Sequence, residues 1–176
     1  MPSGFGQRSQ GIGYPSLSAQ YADMNRITRI GRLAAYDEDF ALWSAEQGAL
    51  LRTGRLDGLD RENLAEEIES LGRSERKEIR KRLRVLLAHL LKWQFQPAKR
   101  KGGWRSTILM QRRELHRTLA ENPSLRSHPS EVLEETYEIA RSKAADETGL
   151  PEDAFPATCP FSIEQILDPA FLPDEA

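Results

Sequence analysis

The chain holds one cysteine, three histidines and no apolar run of membrane-spanning length. Cys159 on its own excludes an intramolecular disulfide and any multi-cysteine zinc site, which suits a reducing compartment. Beside Pro160, and with no histidine near it in sequence, it reads as a small, partly buried side chain and not as a nucleophile. His89, His116 and His128 fall on three separate segments, with no His-x-x-x-His and no Glu-x-x-His. A carboxylate-bridged di-iron bundle needs the second pattern twice, so no metal or cofactor is expected. The greasiest stretch, "LRVLLAHLL", is far short of the roughly 20 residues of a membrane helix. The amino terminus has neither the cationic nor the apolar region of a secretory leader, so the expected location is the cytoplasm. There is no G-x-S-x-G elbow, no phosphate-cradling loop, no dinucleotide fingerprint after a strand, no strand-like alternation and no long internal repeat.

What is abundant is charge, and it is segregated. Apolar residues make up 39% and charged ones 30%, which suits amphipathic helices with one dry stripe and solvated flanks. Lys and Arg against Asp and Glu number 4 to 1 over residues 1–35, 3 to 10 over 36–71, 15 to 3 over 72–117 and 3 to 13 over 118–176. The middle block fits a nucleic-acid surface. The alternation fits antiparallel helices of opposite charge packed side by side equally well. With a net charge of −2 and no nucleic-acid-binding motif, the second reading is favoured.

Residues 1–34, rich in Gly, Ser and Gln, read as an extension or arm, and residues 35–176 as a single helical domain. Asp37 is placed to cap a first helix whose stripe is Phe40, Trp43, Gln47, Leu50 and Leu51 and which ends near Gly54. Asp60 caps a short second helix with Leu64, Ile68 and Leu71 inward, stopped or bent at Gly72. Ser74 opens a third that runs to about Gln96, where Pro97 forbids continuation. Its dry stripe is Ile79, Leu83, Leu86, Leu87 and Leu90, and Lys77, Lys81, Arg84 and Lys92 lie opposite as the leading candidate for a partner surface. A fourth helix spans about Trp104 to Glu121, and a fifth opens at Pro129 and ends at Gly149. The tail after Gly149 holds five prolines and a capping box at Ser162 to Gln165. Its Phe155, Phe161, Ile163, Ile166, Leu167 and Phe171 need burial. The expected fold is therefore all-α, a helical bundle of four to five helices with an irregular Pro-rich C-terminal tail wrapping the core.

Several polar side chains sit where apolar ones are expected. Gln47, Gln94 and Gln111 fall within the dry stripes of their helices, and Arg112 flanks the last. An unpaired buried amide costs about 1–3 kcal/mol, so these residues either form a shared polar layer that fixes helix register or line a wet cleft. His89 flanks an apolar stripe, where a hydrogen-bonded packing role is the default; the functional alternative is a general base working with Glu67. Glu67, His89, Gln94, Gln111 and Arg112 are the candidate polar cluster. Trp93, Phe95, Lys99, Arg100, Lys101, Trp104 and Arg105 interleave aromatic and basic side chains as a single-strand stacking surface does. Trp104 begins one dry stripe and Trp93 borders another, which favours packing.

The string "NLAEEIESLGRSE" followed by "LLAHLLKWQ", then "WRSTILMQRREL", "NPSL", "ETGLP" and "FPATCPFSIEQILDPAFLP", resembles an uncharacterised bacterial family catalogued as the twenty-ninth domain of unknown function. The likeness covers nearly all of Tyr36 to Pro173. It implies a small all-helical protein and supplies no catalytic residues. Asn63, Glu66, Glu67, His89, Lys92, Trp93, Gln94 and Gln111 match the family's hallmark positions, and polar hallmarks serve fold specificity as readily as a ligand. The leading expectation is a non-enzymatic interaction or regulatory domain that meets a protein partner, or a second copy of itself, on an exposed helical face. A small enzyme or ligand binder around Glu67, His89, Gln94 and Gln111 is the second reading, and nucleic-acid binding through the basic hairpin 73–117 the third.

Overall fold

The structure, a computed structural model, describes residues 33–100 and 102–173. The arm expected over residues 1–34 falls, apart from Leu33 and Ala34, outside the described residues, as does Lys101. The fold is all-α, with no strand among the described residues. Its helices are α1 Phe40–Thr53, α2 Arg61–Phe95, α3 Gly102–Glu121, α4 His128–Glu131, α5 Leu133–Thr148 and α6 Ile163–Leu167. None of them is long and apolar enough to cross a membrane. The chain forms two compact units, one ending at Ile68 and the other beginning at Glu69, and α2 runs through the boundary.

In the first unit, Asp39 and not Asp37 caps α1, accepting the Leu42 N–H at 2.9 Å. The Glu38 and Asp39 N–H groups bond back to the Ala35 carbonyl in a turn, so the helical ladder starts later than expected. Gly54 ends α1 at φ 70° with its N–H on the Leu50 and Leu51 carbonyls, a conformation that a Cβ would strain. The buried face is Trp43, Glu46, Gln47, Ala49 and Leu50. Phe40 and Leu51, expected inward, are half exposed. The dry stripe is turned because Glu46 points inward to accept the Ala34 N–H at 2.7 Å, a partner that apolar periodicity does not register. Asp60 knits the corner before α2. Its carboxylate accepts from Trp43 Nε1 (3.1 Å) and Asn63 Nδ2 (2.7 Å), and its N–H donates to Gln47 Oε1 (2.9 Å).

α2 is one helix where the sequence predicts two, and Gly72 neither stops nor bends it. A glycine inside a helix costs about 1 kcal/mol relative to alanine, which the flanking ladder outweighs. Glu69 and Arg73 also pair across it at 3.4 Å in the favoured acid-first order. Ile68 and Leu71, expected inward, are 64% and 68% exposed. Helical spacing marks a face without deciding whether another element covers it.

The second unit holds the core. Ile79, Leu83, Leu86, Leu87, Leu90 and Leu91 of α2 are fully buried against Ile108 and Leu115 of α3, Tyr137, Ala140 and Ala144 of α5, and the tail. The single fifth helix expected from sequence is two, α4 and α5, parted at Val132. Gly149 ends α5 at φ 73°. The tail wraps the core as expected: Phe155, Phe161 and Ile166 are buried, and Ile163, Leu167 and Phe171 are partly buried against them. α6 begins on the anticipated capping box of Ser162 and Gln165. Tyr137 donates its hydroxyl to the Pro156 carbonyl at 2.7 Å, and burial pushes that phenol up to about 12.

Candidate functional site

Lys77, Arg80, Lys81 and Arg84 sit at positions i, i+3, i+4 and i+7 of α2 and therefore share one face. Together with Glu135, Thr136 and Ile139 of α5 they line a groove of about 180 Å³. Lys81 lies 3.6 Å from Glu78, whereas Lys77, Arg80 and Arg84 have no ion-pair partner among the described residues. Some other cations of the second unit are matched, while the exposed Arg76, Lys99, Arg105, Arg113 and Arg126 also have no ion-pair partner among the described residues. Arg82 is held by Glu78 at 2.8 Å and lies 3.7 Å from Glu114, Arg117 pairs with Glu114 and Glu121, and Arg141 pairs with Glu152. Three of the four cations of the expected partner surface thus line the groove. The groove's fourth cation is Arg80, which the sequence reading missed although its i+3 spacing from Lys77 places it on the same face.

Lys92, expected on that surface, is a correction: it is 4% exposed. Its ammonium bonds the Glu147 carboxylate, lies 5.3 Å above the Trp104 ring and sits 3.4 Å from His89 Nε2. Partners brought by α3 and α5 cover a side chain whose type alone says surface. His89 is bonded as a packing residue is. Its Nδ1–H donates to the Val85 carbonyl at 2.8 Å, which leaves the Nε2 lone pair facing Lys92. Desolvation pulls the imidazole below its ordinary 6.5; the Val85 bond and the charge of Glu147 oppose this, and the charges of Lys92 and Lys143 add to it. Desolvation raises the Glu147 carboxyl, but the hydrogen bond and charge of Lys92 outweigh it and leave that group below 4.5.

The remaining members of the candidate polar cluster are not brought together. Glu67 accepts a hydrogen bond from the Tyr36 hydroxyl, which holds that phenol up at about 12. Glu67 and His89 also lie 22 positions apart on one helix, where side chains meet only at spacings of three or four. The pairing of His89 with Glu67 as a general base therefore has no geometric support. The glutamines do not bond one another. Gln47 accepts from the Asp60 N–H and Gln111 from Arg82 at 3.5 Å, while Gln94 Oε1 is buried without a partner. Arg112 is 1% exposed and donates to three carbonyls, Ile166 and Phe171 at 2.7 Å and Gln165 at 3.3 Å. It clamps the tail.

Trp93 and Trp104 are half-buried, and each already carries a cation from its own chain. Arg100 lies 5.0 Å over Trp93 and donates to the Trp93 carbonyl, as Lys92 covers Trp104. Each cation thereby occupies one face of the ring it covers. Cys159 is half-buried, and desolvation pushes its thiol up to about 11, far from nucleophilic at neutral pH.

No curated protein and no solved structure matches the chain. One protein family does, that described as Domain of unknown function DUF29, and the match runs over residues 35–172. It takes in α1 to α6, the groove and the clamped tail together, and on that extent the chain belongs to the family Domain of unknown function DUF29.

Proposed function

We propose that the protein is a cytoplasmic, non-enzymatic interaction domain that docks a protein partner on the basic face of α2. The observation that carries this reading is the row of Lys77, Arg80 and Arg84, side by side on one helix face lining a groove, with no ion-pair partner among the described residues. Like charges gathered within two helical turns repel one another, so an uncompensated row is a standing electrostatic cost that a complementary acidic surface relieves. The volume supports a docking face over a substrate pocket. About 180 Å³ lies below the roughly 300–1,000 Å³ typical of small-molecule sites. The second cluster, His89 with Lys92 and Glu147, has its polar atoms engaged with one another, as a register-fixing group does.

The test is fluorescence anisotropy at low salt with labelled polyglutamate and labelled single-stranded DNA of equal charge. The wild type is compared with Lys77→Gln/Arg80→Gln/Lys81→Gln/Arg84→Gln. The expected result is binding of polyglutamate that salt weakens and the variant loses. Preferential binding of the DNA, retained in the variant, contradicts the reading.

A further inference from the structure

We infer that the groove selects an acidic peptide segment carrying one apolar side chain among its carboxylates, with the carboxylates on Lys77, Arg80, Lys81 and Arg84 and the apolar group on Ile139. This rests on the reading of the basic face as a protein-docking surface and adds what that surface recognises.

The two walls of the groove differ in chemistry. The α2 wall offers four cations over eight residues, about 10 Å of helix at 1.5 Å per residue. A guanidinium in this row can take a carboxylate through two parallel hydrogen bonds, which fixes orientation as well as charge. The α5 wall offers Glu135, the buried Thr136 and Ile139, and Ile139 is 47% exposed. One exposed aliphatic side chain on a surface is ordinary. Ile139 is set apart by its setting: it lines a cationic groove, and Glu134, Glu135 and Glu138 precede it on the same helix. An apolar contact there adds dry area to a charged interface, the combination that gives a docking site its central anchor.

The same wall decides against nucleic acid. Glu135 lies in the groove, and Glu131, Glu134 and Glu138 stand along α4 and α5 beside it. A phosphate backbone carries a charge at every nucleotide and meets that acidic wall wherever it leaves the cation row. A peptide places carboxylates on one side and an apolar group on the other, and so matches both walls. A cavity of about 180 Å³ admits a side chain more readily than a whole metabolite.

Three labelled probes of equal length and charge, titrated by fluorescence anisotropy, test this: a peptide of four glutamates around a central leucine, the same peptide with serine for leucine, and an oligothymidylate. The leucine peptide is expected to bind about tenfold more tightly than the serine peptide, the worth of a partly buried aliphatic side chain. Ile139→Ser should abolish that difference while leaving the serine peptide's affinity unchanged, and its helical circular dichroism should match the wild type because Ile139 lies outside the core. Ile139→Leu is expected to restore the preference. Equal binding of the two peptides by the wild type overturns the apolar anchor and leaves the docking reading standing. Binding of neither peptide, or preference for the oligothymidylate, overturns both.

Discussion

A guanidinium is seldom buried without a carboxylate, yet Arg112 is 1% exposed and spends its N–H groups on the Ile166, Phe171 and Gln165 carbonyls. Desolvation lowers its pKa, which marks the cost of holding the charge there, and the charge of Asp168 opposes that shift. Arg112→Met removes three charge-assisted bonds and strands three carbonyls. The expected loss is about 3 kcal/mol of unfolding free energy, with amide exchange over 163–171 accelerating ahead of the rest of the chain. An ammonium cannot span the three acceptors, so Arg112→Lys recovers little of it. Glu147→Ala leaves the Lys92 ammonium buried without its carboxylate, and chemical denaturation should register about 1–3 kcal/mol. His89 binds fewer protons in the folded state than in the unfolded chain, because its folded pKa lies below 6.5. Its contribution to stability is thus complete above pH 6.5 and declines as pH falls through 6.5 toward the lowered folded value. A further decline attends Glu147 below 4.5. Urea titrations across pH should show the first decline in the wild type and lose it in His89→Gln. At this scale the sequence tells which polar side chains are out of place, Gln47, Gln111 and Arg112 among them, but not what satisfies them. The carbonyls that Arg112 holds lie more than fifty residues onward in the chain, and no local pattern encodes that closure.

Elements were legible where strong local signals stood alone and misread where two competed. Pro97 after α2, Gly149 after α5 and the Ser162–Gln165 box before α6 each removes or satisfies backbone groups in one way only, and each falls where it was expected. Gly72 followed by Ser74 imitates a stop and a fresh cap, but the glycine penalty is smaller than the cost of nucleating a second helix, so α2 continues. A Cβ added at Gly72 would meet nothing within 4 Å. Gly72→Ala should therefore stabilise the protein by about 0.5–1 kcal/mol with unchanged helix content. A urea midpoint that moves down, or a loss of helical signal at 222 nm by circular dichroism, counts against a continuous helix. The Phe40 and Leu51 errors have a different origin. Glu46 takes an inward position by capturing the Ala34 N–H, and a hydropathy pattern assigns glutamate to the outside.

Across the whole molecule the segregation of charge is plain in the sequence, as is the all-α class. In the second unit, acidic α5 does neutralise part of the basic block, through Lys92 with Glu147. Which cations stay unmatched depends on how α2 and α5 are turned against each other, and the residue counts carry no such information. The result is a basic row of Lys77, Arg80, Lys81 and Arg84 in which only Lys81 has an ion-pair partner among the described residues. On the docking reading proposed above, the row serves a partner and not packing, in line with the general opposition between binding surfaces and stability. The most direct measurement is the thermal midpoint, at low salt and without any partner, of the variant in which all four are glutamine. The predicted result is a midpoint at or above that of the wild type, since mutual repulsion is relieved and the one ion pair lost, Lys81 with Glu78 at 3.6 Å, is an exposed pair of small worth. A midpoint several degrees lower would show that these cations hold the fold together, and would contradict their assignment to a docking face.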